Sequence, residues 1–238
     1  AREVLHMRDA IPELLETILP DVTDAEWCHL ELARLGGFHY YRWVPRDVEL
    51  MRALMQRWDS QTCTFWFQMG EMTITHEDIY RILRLPITGD LIEITPWEQQ
   101  RRALVRLYGD KADASEIVSG AVRIASQYRK DDPRSRLIAL IQMAISYYAL
   151  PDSRGGWFPL LLLDCVCDIL EFMQVFTFTD ALLAQIYHEL WMYSTGRRTG
   201  IDVSFVLHCW AYEHISVIRP SGIPWMSGAE GALDYGFR

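Results

Sequence analysis

The side chains best suited to metal binding in this sequence are His208, Cys209 and His214, close together near its carboxyl-terminal end. The two histidines are six residues apart, so on a helix they occupy different faces. A tetrahedral metal site there would need at least one ligand from a distant segment. We therefore interpret these side chains as ordinary helix residues, and we expect no metal site and no cofactor.

A pair of carboxylates, Glu71 and Asp78, has the residue types of a glycosidase acid and base. The simpler interpretation is that Glu71, which follows a tight turn, pairs with an arginine. Asp78 would then stabilise the start of a helix. The sequence also lacks the Gly-x-Ser-x-Gly turn of a serine nucleophile, and we predict no catalytic residue.

Lysine is nearly absent, with Lys111 and Lys130 set against 21 arginines. A pyridoxal phosphate enzyme needs a desolvated lysine for its Schiff base. Both lysines stand among charged residues typical of solvated helix ends or loops, so aminotransferase chemistry is disfavoured. Neither lysine follows a glycine, which excludes a P-loop.

Acidic residues outnumber Lys and Arg by 32 to 23, giving a formal net charge of −9. Such a chain cannot coat nucleic acid by phosphate neutralisation alone, although a local basic patch is still allowed. The simpler interpretation of the arginines is that they form internal pairs with carboxylates and fix the helices. The alternative is an anion or nucleic-acid patch formed by Arg101, Arg102, Arg106, Arg197 and Arg198.

The hydrophobic pattern is mostly helical. Thr23 and Glu26 predict a capping box before a helix that runs to about Leu35, and Thr95 and Glu98 predict a second box. The run from 157 to 178 is very apolar but contains acidic residues, which favours buried helices over a membrane span. Further helices are predicted over 46–58, 76–84, 115–129, 133–150, 158–175, 179–195 and 202–214.

Residues 64–75 depart from this pattern, because β-branched and aromatic residues flank Met69-Gly70 and predict a short β-hairpin. Two strands alone are marginally stable, so the hairpin must dock on helices. We predict a mainly α fold, with a single compact multi-helix domain over 1–220. Residues 1–22 would form an amino-terminal helix or arm, and 221–238 a Gly-rich, loosely ordered tail.

Two distant segments carry a specific pattern. The first includes Leu54-Met55-Gln56-Arg57-Trp58 and Gly70-Glu71-Met72-Thr73-Ile74-Thr75, and continues through Leu85-Pro86-Ile87-Thr88-Gly89; the second runs from Leu207 to Pro220. In order and separation these segments resemble the plant mobile domain family. The signature positions are Trp58, Thr64, Phe65, Gly70, Glu71, Thr73, Thr75, Asp78, Leu85, Pro86, Gly89, Trp210, Glu213, Arg219 and Pro220.

The resemblance implies a nuclear protein. Members similar to the meristem-maintenance proteins act in silencing of transposable elements, gene expression and genome stability. They associate with a phosphatase-7-like protein that carries a related domain. The family is also labelled aminotransferase-like, which the scarcity of lysine argues against here. It supplies no catalytic residue to carry over, and the signature itself is expected to be mostly a folding signature.

Three functional hypotheses follow. The first is a non-catalytic interaction module of a nuclear complex, whose partner is another plant-mobile-domain protein or a phosphatase-7-like protein. The second is a DNA-binding domain, acting directly or within a heteromer. The third is an uncharacterised enzyme, which would require a deep pocket holding a carboxylate or histidine of strongly shifted pKa.

Overall fold

Helices provide most of the architecture, and small sheets join them. The computed structural model describes residues 6–7, 13–38, 44, 47–109, 117–118, 120–151 and 156–220. The helices in these ranges are α1 (Glu13–Ile18), α2 (Asp24–Leu32), α3 (Val48–Met55), α4 (His76–Leu83), α5 (Trp97–Tyr108), α6 (Ile124–Gln127), α7 (Pro133–Ala144), α8 (Leu163–Phe172), α9 (Phe178–Ser194) and α10 (Ser204–His214). The mainly α fold, organised as one domain, is confirmed, whereas its predicted boundaries stay predictions.

The described part of the chain contains three small β-sheets. Strands β1 (His6–Met7) and β8 (Gly200–Ile201) pair in parallel. An antiparallel sheet contains β2 (Trp58–Asp59), β3 (Thr64–Phe67) and β4 (Gly70–Met72). A second antiparallel sheet contains β5 (Ile117–Val118), β6 (Ala121–Arg123) and β7 (Trp157–Pro159).

The predicted hairpin is confirmed. In the β3–β4 register Phe65 lies opposite Met72 and Phe67 opposite Gly70. Gly70 has a φ of +125°, which a residue with a side chain rarely adopts, so glycine is needed at this turn. Strand β2, which the sequence did not predict, adds a third strand and relieves the marginal stability of an isolated hairpin.

Several helix starts follow from local chemistry. Thr23 and Glu26 form the predicted capping box of α2, at 2.8 Å from the Thr23 amide to Glu26 Oε2. At α7, the Asp132 side chain accepts from the Arg134 amide at 3.0 Å, and Pro133 occupies the first turn. These residues satisfy amides that a helix start leaves without partners.

Other expected elements were wrong, and strand pairing explains two of the differences. The predicted helix over 115–129 is replaced by β5, β6 and the short α6, because β6 pairs with β7. A helix was predicted over 158–175. Because residues 157–159 form β7 in this pairing, helix α8 starts only at Leu163. Thr95 forms no capping box, and α5 starts after Pro96 without a side-chain cap. Helix α2 ends at Leu32, before the predicted end near Leu35, and Arg34 takes the left-handed conformation at φ 61°.

The centre of the core is formed by α10 and by α7 with the π-helical turn that follows it, Ile145–Ala149. Residues 204–212 are all buried, and so are 138–149. Gly37 lies against this turn: an added Cβ would sit 2.7 Å from the Leu83 carbonyl oxygen and would also overlap the Tyr148 hydroxyl. Lys111 and the 221–238 tail lie outside the described residues.

Candidate functional site

The two signature segments meet in one buried aromatic cluster. The rings of Trp58 on β2 and Phe65 on β3 are 4.9 Å apart, and Phe65 lies 5.1 Å from Trp210 on α10. Tyr187 on α9 lies 5.8 Å from Trp58. Pairs at these separations contribute about 0.5–1.5 kcal/mol beyond their burial. The hairpin is therefore docked on α9 and α10.

Hydroxyl groups fix both edges of this cluster. Thr73 Oγ1 donates to the Cys63 carbonyl at 2.7 Å, and Tyr187 Oη donates to the Ile74 carbonyl at 2.7 Å. Cys63 has a φ of +56°, in the left-handed region that residues with side chains rarely occupy. The Thr73 hydroxyl therefore holds a strained turn, and Tyr187 ties α9 to the chain that enters α4.

Asp78 joins the first signature segment to the second. Its carboxylate accepts from the Thr75 amide at 2.8 Å and completes a capping box for α4. The other oxygen accepts from His214 Nε2 at 2.8 Å, at the end of α10. Burial raises the pKa of this carboxyl, but hydrogen bonds from His214 and Thr75 outweigh it, so the net pKa is lowered. Asp78 therefore stabilises a helix start, as predicted, and also links two helices.

Glu71 behaves differently from the expectation. Its carboxylate accepts from the Thr64 hydroxyl at 2.9 Å, across the β3–β4 pair, and within the described residues no arginine pairs with it. The Asp78 carboxylate is occupied by Thr75 and His214. Each carboxylate thus has its own structural partners, which favours the structural interpretation of both over a glycosidase pair.

The signature residues that follow α4 contact the chain at the start of α9. Leu85 is buried, and the Thr179 hydroxyl lies 2.7 Å from the Pro86 carbonyl oxygen. Gly89 has a φ of +156°, and an added Cβ would lie 2.6 Å from the Val175 carbonyl oxygen. Only glycine fits this close approach.

Arg219 and Pro220 follow the end of α10. The Arg219 guanidinium donates to the carbonyls of Tyr212 at 2.8 Å and of Glu213 at 3.0 Å. It also lies 3.7 Å from the Glu213 carboxylate. A cation at a helix carboxyl end satisfies carbonyls that the helix leaves free. The signature residues whose contacts are given above therefore make folding contacts within the described part of the chain.

The arginines of the predicted patch on α5 differ in whether a carboxylate binds them. Arg106 is engaged: its Nε donates to Glu171 Oε1 at 2.9 Å, and its guanidinium carbon lies 5.8 Å from the centre of the Phe172 ring. The Glu171 hydrogen bond raises the pKa of Arg106. Arg101 and Arg102 are exposed, and neither forms an ion pair with any described residue.

Arg197 and Arg198 are both engaged. Arg198 donates to Asp202 Oδ2 at 2.6 Å and lies 3.7 Å from the buried Glu189 carboxylate. The Arg197 guanidinium lies 4.6 Å from the centre of the Trp191 ring. These contacts favour the structural interpretation of this pair over an anion site.

A surface that the sequence did not single out lies beside the free arginines of α5. The loop that leads into this helix exposes large apolar side chains, and α8 adds one more at its end. We call these residues the apolar surface: Leu91 is 72% exposed, Ile94 79%, Trp97 56%, Val105 47% and Phe172 68%. A signal was present in the sequence, since three of the four residues in Leu91-Ile92-Glu93-Ile94 are apolar, between Gly89 and Pro96 and outside any predicted helix.

Backbone contacts hold part of this surface in place. Asp90 pairs with Phe176, its amide donates to the Val175 carbonyl at 2.9 Å, and its side chain accepts from Gln174 at 2.6 Å. These contacts bring the start of the loop beside the segment that follows α8. Helices α5 and α8 also pack against each other. The loop and the two helices are therefore neighbours in the fold.

Both histidines among the candidate metal ligands are held by protein partners. His208 Nε2 accepts from the Asp47 amide at 2.8 Å, and its Nδ1 lies 2.6 Å from the Ser204 carbonyl oxygen. Cys209 is buried, and His214 is bound to Asp78. Among the described residues, no group of three or more His, Cys, Asp or Glu side chains could hold a metal ion. Within the described residues, no helix has the length and hydrophobicity of a membrane span.

The protein is a mainly α domain. Side chains of the signature residues join its β3–β4 hairpin, α4 and α10. The chain belongs to the plant mobile domain family, which matches residues 41–231. No solved structure matches it.

Three relatives from Arabidopsis thaliana show the extent of the similarity. The chain is 26% identical to Protein MAIN-LIKE 2 over 80% of its own length and 31% of the relative's length. It is 25% identical to Protein MAINTENANCE OF MERISTEMS, covering 80% of the chain and 42% of the relative. It is 25% identical to a serine/threonine-protein phosphatase 7 long form homolog, covering 84% of the chain and 16% of the relative. The chain therefore spans less than half the length of each of these proteins.

Proposed function

We propose that this plant mobile domain is a non-catalytic protein-interaction module of a nuclear complex. That complex would act in transposable-element silencing, gene expression, and meristem and genome maintenance. The proposed partner is another plant-mobile-domain protein or a phosphatase-7-like protein. The names of the relatives, one for meristem maintenance and one for a phosphatase 7 homolog, support this context.

The apolar surface is the observation that carries the proposal. Isolated apolar residues on a surface are ordinary, whereas several on neighbouring elements mark a site that another molecule covers. Here Leu91, Ile94 and Trp97 lie within seven consecutive residues, and each is more than half exposed. Aromatic residues such as Trp97 and Phe172 are the usual anchors of protein interfaces.

The proposal is tested by mixing the 238-residue chain with the mobile-domain segment of a phosphatase 7 long form homolog. Light scattering coupled to size exclusion would report a heteromeric complex. Leu91→Asp and Ile94→Asp place charges within the proposed interface, and we expect them to abolish the complex. The matched control is Val217→Asp, since Val217 is also apolar and 88% exposed but follows α10.

Two results would count against this function. Absence of any complex with mobile-domain partners is one, and equal loss of binding in Val217→Asp is the other. Nuclear localisation is tested separately, by imaging the chain fused to a fluorescent protein in plant cells.

DNA binding remains the second candidate, because Arg101 and Arg102 are adjacent, exposed and free of described ion pairs. Binding to a DNA duplex should then fall steeply with salt, and Arg101→Ala with Arg102→Ala should remove it. The net charge of −9 favours the protein-interaction module.

A further inference from the structure

The outer side of α5 carries a row of three exposed residues, in which a cation lies between two apolar side chains. Trp97, Arg101 and Val105 are spaced four residues apart, which places them along one face of the helix at intervals of about 6 Å. Trp97 is 56% exposed and Val105 47% exposed. We call these three residues the α5 ridge.

A partner that covers both apolar ends of the α5 ridge must also cover Arg101. Removing a guanidinium from water without a counter-charge is costly, whereas a carboxylate partner offsets that cost through paired hydrogen bonds. Neither Arg101 nor Arg102 has such a carboxylate among the described residues. The missing carboxylate must therefore come from the partner.

The neighbouring charges on α5 and α8 do not fill this role. Glu171 is engaged by Arg106 at 2.9 Å, and Asp168 lies 3.9 Å from Arg106 on the same side. Glu98 stands one turn before Arg102 on α5, with no described ion pair between them. On α5 and α8, the arginines without a described carboxylate partner are thus Arg101 and Arg102, and the overall charge of the chain is negative.

We propose that the α5 ridge binds an amphipathic helix of a partner protein that carries an acidic residue between two apolar residues, at four-residue spacing. Two α-helices rise by the same distance over four residues, so their side chains stay matched along the contact. One apolar residue of the partner would therefore lie against Trp97, its carboxylate against Arg101, and its other apolar residue against Val105. Arg102 faces a second acidic position at the edge of the contact. This inference rests on the proposed interaction function and names the chemistry of its partner.

A defined pair of peptides tests the charge at the central position. One fluorescent helical peptide has the pattern Leu-x-x-x-Glu-x-x-x-Leu with a second Glu at the flanking position, and its twin has Lys at both acidic positions. With the whole 238-residue chain, fluorescence anisotropy should show saturable binding of the acidic peptide and about tenfold weaker binding of the basic one. Equal binding of the two peptides would overturn the proposal.

A charge swap supplies the decisive control. Both arginines are exposed, so Arg101→Glu with Arg102→Glu should leave the helical circular dichroism unchanged. The preference should invert, with the basic peptide binding better than the acidic one. An unchanged preference would show that these arginines do not face the peptide, and would overturn the proposal.

The outcome separates this inference from the proposed function. If the mobile-domain partner still binds and depends on Leu91 and Ile94, but the acidic peptide does not bind, the interaction function stands and the acidic-helix inference fails. If a DNA duplex binds in place of the peptide, and Arg101→Ala with Arg102→Ala removes that binding, the ridge takes nucleic acid and the inference is again overturned.

Discussion

His214 Nε2 donates to Asp78 Oδ1 at 2.8 Å, joining the end of α10 to the start of α4 across 136 residues of sequence. The Trp210 ring lies 5.3 Å from the His214 ring, so the aromatic cluster supports the same junction. One carboxylate therefore caps a helix and holds together the two halves of the family signature.

Asp78→Ala should destabilise the protein by about 2–3 kcal/mol, because it removes the capping contacts with Thr75 and the partner of His214. Urea unfolding followed by circular dichroism measures this loss. Glu77→Ala is the matched control in the same first turn, since Glu77 is exposed, and should change stability by less than about 0.5 kcal/mol. Equal effects of the two substitutions would contradict the role given to Asp78.

The lowered pKa of Asp78 predicts a pH dependence. A carboxyl whose pKa is lower in the folded state contributes stability above its unfolded pKa, and loses it as pH falls through the folded pKa. The stability difference between the native chain and Asp78→Asn should therefore be constant near neutral pH and shrink in acid. Urea titrations from neutral pH to about pH 3 check this. A difference that grows in acid would show the opposite shift.

Tyr187→Phe should cost about 1 kcal/mol, because it leaves the Ile74 carbonyl without its hydroxyl donor while keeping the ring beside Trp58. Tyr193→Phe on the same helix is the control, since no hydroxyl bond is described for Tyr193 and a nearly neutral effect is expected. Thermal unfolding of both variants gives the comparison. A larger loss in Tyr193→Phe would refute the assignment.

The cysteines should differ in reactivity. Burial raises the pKa of both Cys165 and Cys167 to about 12, and burial raises the pKa of Cys209 further. Thiolates are the reactive form, so these three should resist a thiol reagent until the chain unfolds, while the exposed Cys28 reacts in the native state. Thiol titration with and without urea counts the accessible groups. Rapid native labelling of Cys167 would show that the α5–α8 contact opens.

The sequence by itself determined the features that depend on neighbouring residues. The capping box at Thr23, the helix start at Pro133 and the turn at Gly70 were predicted because side chains or missing Cβ atoms act within a few residues. The family signature and the mainly α fold also followed from local pattern and order.

Tertiary structure decided the features that need distant partners. Residues 117–118 and 121–123 became strands because β6 pairs with β7, more than 30 residues away, and pairing between strands overrides local helical preference. Asp78 was predicted only as a helix-start residue, since its bond to His214 exists only once α4 and α10 pack. The exposure of Leu91, Ile94 and Trp97 was likewise set by the fold, because hydrophobicity alone does not tell whether a side chain faces the core or the solvent.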